Sequence, residues 1–216
     1  MPALPSGHVL ERIDHLVYAA PDLDAAVGTI EALLGVRAAP GGRHPGEGTR
    51  NCLLSLGPAI YLEIVGPDAG APAPGRPRWL GIDGLTEPRL VAWAARGEDL
   101  DGLVAAAAEA GATLGPVASG SRERADGQLL SWRFTDPRVV VEGGVVPFLI
   151  DWGRTPHPAL SAPQGAILEG LRAEHPEPER VRKMLDALGL DLPVSFGPRA
   201  GLCATLLTPR GRVELR

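Results

Sequence analysis

One order of events occurs three times along this chain, and it limits the fold more than any other feature. An apolar strand is followed by a short acidic or proline-containing turn, an amphipathic helix and a Leu-Gly or Ala-Gly stop. The first copy runs from Ile13-Asp14-His15-Leu16-Val17-Tyr18 through Asp22-Leu23-Asp24 to Leu34-Gly35. The second runs from Leu90-Val91-Ala92-Trp93 through Asp99-Leu100-Asp101 to Ala110-Gly111. The third runs from Leu168-Glu169-Gly170-Leu171 through Glu177-Pro178-Glu179 to Leu188-Gly189. The closing glycines lie roughly 77 residues apart, beyond the roughly 20–50 residues of solenoid units. That period points to a duplicated supersecondary module.

The pattern also places the elements. Residues 12–20 read as a strand, and Asp22 or Asp24 puts negative charge at the start of the first helix. Val27, Ile30, Leu33 and Leu34 fall on one helical face, and Gly35 is the stop. Residues 40–51 read as a long hairpin or loop, followed by strands at 51–56 and 59–65. The stretch from Gly66 to Pro77 is a Pro/Gly-rich connection, with a short helical turn near 78–82. In the second module the helix covers about 100–110, with strands at 129–135 and near 145–152. The third module has a helix at about 179–188 and strands at 194–196, 202–207 and 213–215. Module one is therefore 12–66 and module two 89–153, together one domain over 8–160. Residues 164–216 form a third, shortened module expected to pack on it or to pair with another subunit.

Composition excludes several classes. With 216 residues, 44% of them apolar and 22% charged, the chain can bury a real core. A net charge of −5 argues against nucleic acid as the main partner, since phosphate binding needs a basic surface. No apolar run reaches the length of a membrane span. Cys52 and Cys203 have neither CxxC spacing nor a disulfide framework, which fits free thiols in a reducing cytoplasm. Lys183 is the only lysine, a mark of GC-rich bacterial coding with no mechanistic weight.

Strand alternation identifies candidate site residues. It places Ile13, His15 and Val17 on one face and Asp14, Leu16 and Tyr18 on the other. His15 is then either a metal-ligating imidazole or a core histidine bonded to backbone. Ile60, Leu62 and Ile64 form an apolar stripe, so Glu63 points the other way, where burial requires a partner or a cation unless that wall is polar or water-filled. Phe148, Ile150 and Trp152 lie opposite Leu149 and Asp151, and Asp151 repeats the Glu63 pattern or caps the loop after its strand. Trp79, Trp93 and Trp132, with Arg76 and Arg78, could form an apolar wall with an anion clamp; Trp132 fits a sheet core equally well. His44 and His157 lie on loops within reach of the same place, where ordinary surface histidines also occur.

A duplicated β-α-β-β-β module with a His on its first strand and a Glu on its last resembles the vicinal oxygen chelate superfamily. The segments that carry the resemblance are Ile13 to Tyr18, Ala59 to Val65 and Val146 to Gly153. The Ile-Asp-Trp-Gly and Thr-Pro-His-Pro segments are similar to those of bacterial glyoxalase-like domain proteins. The resemblance implies an α+β fold in which paired βαβββ modules form a cup-shaped mixed sheet. It implies a small-molecule ligand, oxygenated or aromatic, inside the cup.

In that superfamily the first and last strands of each module supply metal ligands. The carry-over makes His15, Glu63 and Asp151 the ligands of one divalent ion (Zn, Fe, Mn or Ni), and Glu63 the proton-moving residue of a lyase or isomerase. Trp93, Arg78, Trp79 and His157 become substrate-pocket residues. One departure weighs against this set: the position matching His15 in module two is Ala92. The second reading is a metal-free binding protein of the bleomycin-resistance kind. A homodimer is compatible with both.

Overall fold

The protein is described by a computed structural model covering residues 8–123 and 129–216. A short helix α1 (His8–Arg12) leads into β1 (Ile13–Ala19), α2 (Leu23–Leu34), β2 (Ala39–His44), β3 (Thr49–Gly57) and β4 (Ile60–Pro67). After the 66–88 connection come β5 (Arg89–Arg96), α3 (Leu100–Glu109), β6 (Val117–Glu123), β7 (Leu129–Thr135) and β8 (Phe148–Asp151). The chain ends with β9 (Ile167–His175), α4 (Pro178–Ala187), β10 (Val194–Phe196), β11 (Gly201–Thr208) and β12 (Gly211–Leu215).

Local chemistry sets the helix boundaries as the repeat implies. The carboxylates of Asp22 and Asp99 accept hydrogen bonds from the backbone N–H groups of Ala25 and Gly102, capping α2 and α3. All three closing glycines take left-handed φ, at 75°, 88° and 67°, which ends each helix without a Cβ clash.

The first two modules build one mixed sheet in the order β2-β3-β4-β1-β5-β8-β7-β6. Each first strand pairs in parallel with the last strand of its own module, β1 with β4 and β5 with β8. The two first strands pair antiparallel with each other at the centre. The sheet curls into a cup, and strands from both halves line a single cavity on its concave side. The opposite face packs on the helices.

The third module repeats the element order but arranges its sheet differently, as β10-β9-β11-β12. Its first strand lies inside the sheet, parallel to β10 on one side and antiparallel to β11 on the other. Leu168, Leu171, Leu202 and Leu206 from this sheet share one buried core with Ile30, Leu62, Trp93 and Leu149 of the main domain. The third module therefore packs on the cup's convex side. Cys52 and Cys203 are buried free thiols, and burial pushes both thiol pKa values up. Among the described residues no helix is long and apolar enough to cross a membrane.

Two departures from the sequence reading matter for the site. Strand β6 reads Val-Ala-Ser-Gly-Ser-Arg-Glu, which lacks an apolar alternation, yet it pairs with β7 over its whole length. Its Gly120 faces Trp132, and a Cβ there would lie 2.5 Å from the indole. The second departure is in β1. The register with β5 slips between Ile13 and His15, so Ile13 joins Leu16 and Tyr18 in the helix-side core while Val17 and Ala19 face the cup. Strict alternation fails at Ile13 because a bulge lets two successive residues turn the same way.

Candidate functional site

That bulge puts Asp14 and His15 side by side. His15 reaches the cavity, and Asp14 sits behind it, fully buried. The Asp14 carboxylate is the hub of the site. His15 Nδ1 lies 2.8 Å from one of its oxygens and His157 Nε2 3.1 Å from the other. The Trp152 indole N–H donates to both, at 3.2 and 3.1 Å, and Arg96 Nε stands 3.5 Å away. Burial pushes the Asp14 pKa up, but the hydrogen bonds and charges of His15 and His157 outweigh it and hold the carboxyl well below the usual range.

These contacts fix the tautomers. His157 Nδ1 accepts from the Ala159 N–H, so its Nε2 carries the hydrogen toward Asp14. His15 donates through Nδ1 to the carboxylate, which turns its Nε2 into the cup. There Nε2 faces Glu63 Oε2 at 3.7 Å. His15 is also clamped between rings: it stacks on Tyr61 at 4.5 Å and meets the edge of Phe148 at 5.4 Å.

Glu63 lies on β4, next to β1 and two residues beyond Tyr61. It is 9% exposed, and its neighbours Leu62 and Ile64 point into the helix-side core. Asn51 on β3 donates to its other oxygen, Oε1, at 2.5 Å. The Asn51 amide is itself oriented by Gly42, whose N–H bonds to Asn51 Oδ1 at 2.7 Å. Gly41 makes room for this: a Cβ there would stand 2.4 Å from Asn51 Oδ1. Both side chains thus have a polar support behind them, Asp14 for His15 and Asn51 for Glu63.

Apart from His44, the rest of the cavity is apolar. Six of the chain's nine Phe, Trp and Tyr residues line it: Tyr61, Trp79, Trp132, Phe134, Phe148 and Trp152. It leaves about 90 Å³ in which a water-sized sphere can centre, room for a ligand of a few non-hydrogen atoms or the head of a longer one. Trp79 and Leu80, from the connection between the modules, form part of its wall, and Leu80 holds a left-handed φ of 57°.

Several expected site residues lie elsewhere. Asp151 does not line the cavity; its Oδ1 accepts the Gly153 N–H at 2.8 Å, capping the end of β8. Phe148, Ile150 and Trp152 take the cup face, and Leu149 the core. Trp93 is not a pocket residue either. It is fully buried on the helix side, and its indole N–H donates to Val145 O at 2.8 Å. Arg78 faces away from the cavity and ties the connection down, bonding Gly48 O at 3.1 Å and Asp83 at 2.6 Å. Arg76 pairs with Glu47, so the two linker arginines form no clamp. His157 stands behind the lining, against Asp14, Tyr61 and Trp152. His44 lines the cavity edge-on to Trp79.

The donor set is therefore short for a metal. His15 Nε2 and a Glu63 oxygen face the same space, but no group of three His, Cys, Asp or Glu side chains suited to an ion occurs among the described residues. The pairing across the pseudo-symmetric halves shows why. Glu63 faces Val17, two residues after His15; Phe148 faces Ala94, two residues after Ala92. Ala92 and Phe148 occupy the places that would complete a shell, and neither can ligate an ion. Resident metal does not fit these residues unaided.

The sequence profile of the glyoxalase-like domain matches residues 13–189. A structure described as a hypothetical protein from Staphylococcus aureus aligns with a TM-score of 0.59 at 13% identity, over 94% of this chain and 83% of that one. Methylmalonyl-CoA epimerase from Mycobacterium tuberculosis aligns at 0.43 and 21% identity, over 73% of this chain and 96% of its own. A single-residue variant of the Streptomyces coelicolor epimerase, in complex with 2-nitronate-propionyl-CoA, also gives 0.43 and 21%, over 68% and 98%. No curated protein matches significantly.

Proposed function

We propose, from the premise that this chain belongs to the glyoxalase-like domain family, that its cup moves a proton on a small, largely apolar or aromatic molecule carrying an oxygen function. One observation carries this reading: a single, almost buried glutamate stands in a cavity walled by most of the chain's aromatic residues. A carboxylate in such surroundings is a strong candidate for a general base.

Glu63 Oε2 takes the proton from a carbon beside the oxygen function, and the electron pair stays on the substrate as an enolate. Return of the proton to the other face or to a neighbouring atom completes an isomerisation; loss of a leaving group instead completes an elimination. His15 is the partner of Glu63. Because Asp14 occupies its Nδ1, its Nε2 is the nitrogen that exchanges a proton with the carboxylate or with the substrate oxygen.

A divalent ion has two side-chain donors here, His15 and Glu63, where a self-sufficient site uses three or four. Zn, Fe, Mn or Ni is accordingly expected well below one ion per chain in protein purified without chelator. Elemental analysis showing one tightly held ion per chain overturns that expectation.

The second reading, a binding protein without catalysis, is favoured by Ala92 and Phe148, which make half the cup inert. Incubating the protein in D2O with aryl α-hydroxy ketones and following solvent deuterium into them by NMR separates the two. Catalysis predicts incorporation that Glu63→Gln slows by about 10²–10⁴-fold, while the same ketones still quench tryptophan fluorescence in the variant. Quenching without incorporation in the wild type leaves the binding reading.

A further inference from the structure

We infer that the groove between the two sheets is a second ligand site, one that takes an organic anion with an apolar body. This site is separate from the cup and does not depend on the chemistry proposed for it. Its walls come from the start of β5, the segment before β8, and the β9–β11 face of the third module. Four arginines line it, Arg89, Arg172, Arg199 and Arg216, against two glutamates, Glu87 and Glu174. That is a concentration of positive charge on a chain whose net charge is −5.

The arginines are not equivalent. Arg172 is held by Glu214 at 2.8 Å, and Arg216 by Glu214 at 3.5 Å and Glu174 at 3.7 Å. Arg89 and Arg199 meet no carboxylate among the described residues. Arg89 belongs to the main sheet and Arg199 to the third module, and both line the groove. Two unpaired guanidinium forks in one groove offer charge-assisted donors to the oxygens of a phosphate or carboxylate.

Apolar surface completes the case. Val140 stands in the groove 45% exposed, and behind it Leu90, Val91 and Leu202, buried themselves, form an apolar floor. An inorganic anion held by the arginines leaves Val140 in water; an alkyl or aryl anion covers it. The recess lies between two packed sheets, which suits a single molecule more than a bilayer surface.

The test is calorimetric titration of the full chain with octyl phosphate, with octanol as the neutral control. Binding of octyl phosphate and not of octanol is expected. Arg89→Ala with Arg199→Ala should weaken it at least about tenfold, the scale of losing charge-assisted bonds. Arg212→Ala, whose side chain pairs with Glu169 outside the groove, should leave it unchanged, as should Glu63→Gln in the cup. If the double variant melts early, Arg199→Gln alone, on an exposed loop, carries the same expectation. Co-sedimentation with phosphatidylcholine vesicles containing phosphatidic acid assigns the source: Arg199-dependent capture means a lipid headgroup, and its absence beside octyl phosphate binding means a free anion. No binding of octyl phosphate, equal binding of octanol, or undiminished affinity in the double variant overturns the site.

Discussion

The two halves of the cup share a backbone plan and divide the chemistry unequally. In the first half, β1 and β4 present His15 and Glu63, each supported from behind by a buried polar side chain. In the second half, β5 and β8 present Ala92 and Phe148 at the matching places, and the phenyl ring packs edge-on against His15. One half positions charge and the other excludes water from it. An ionisable pair gains effect in a low-dielectric wall, so the loss of polar groups in one half sharpens those kept in the other.

Making the halves alike is the strongest way to break the comparison. Ala92→His with Phe148→Glu gives the second half the donors of the first, and the cup then has four. The variant is expected to purify with one Zn or Ni per chain where the wild type is substoichiometric, read by elemental analysis. An unchanged metal content means that the matching positions are not the ones identified.

Next in size is Asp14, the anchor of the polar half. Asp14→Asn should lower the unfolding free energy at pH 7 by about 3 kcal/mol, because it unpairs a buried charge network. The sign with pH is definite. Asp14 is depressed in the folded state, so its contribution is present above the unfolded carboxyl pKa of roughly 4 and fades as pH falls toward the folded value. The gap between wild type and variant in chemical denaturation should therefore shrink below about pH 4. A gap that widens on acidification would contradict the assignment.

Trp93→Phe probes the helix side of the second half. It loses the bond to Val145 and some packing, at about 1–2 kcal/mol in thermal or urea unfolding, yet it should leave ligand quenching in the cup unchanged. The smallest effect belongs to Gly41→Ala, which pushes on Asn51. About 1 kcal/mol of stability is expected, from displacing the Asn51 and Leu53 side chains, with a measurable fall in deuterium incorporation because Glu63 loses its support. Equal activity would show that Asn51 does not orient the carboxylate.

Much of this division was legible in the sequence. The repeat, the helix stops and the alternation around Glu63 depend on local chemistry, and local chemistry is what a sequence displays. Asp14 was hidden by the bulge, since alternation places it opposite His15 and nothing in Ile-Asp-His marks a slip. Asp151 copies the pattern of Glu63, but strand β8 turns its aromatic stripe into the cup, because there the cavity wall is itself apolar. An apolar stripe identifies a buried face without saying whether a core or a cavity covers it. Strand β6 has no signature in the sequence for a related reason: its packing partner is the Trp132 ring lying over Gly120, which leaves no apolar alternation of its own.

The strand order of the third module sets how far the architecture can extend. In each of the first two modules, the opening strand has a neighbour of its own module on one side only, so it behaves as a unit of valence one. Two such units saturate each other, as β1 and β5 do. In the third module, β10 and β11 occupy both flanks of β9, which brings its valence to zero. This third copy of the pattern therefore cannot add another half to the cup, and it is left to act as a buttress.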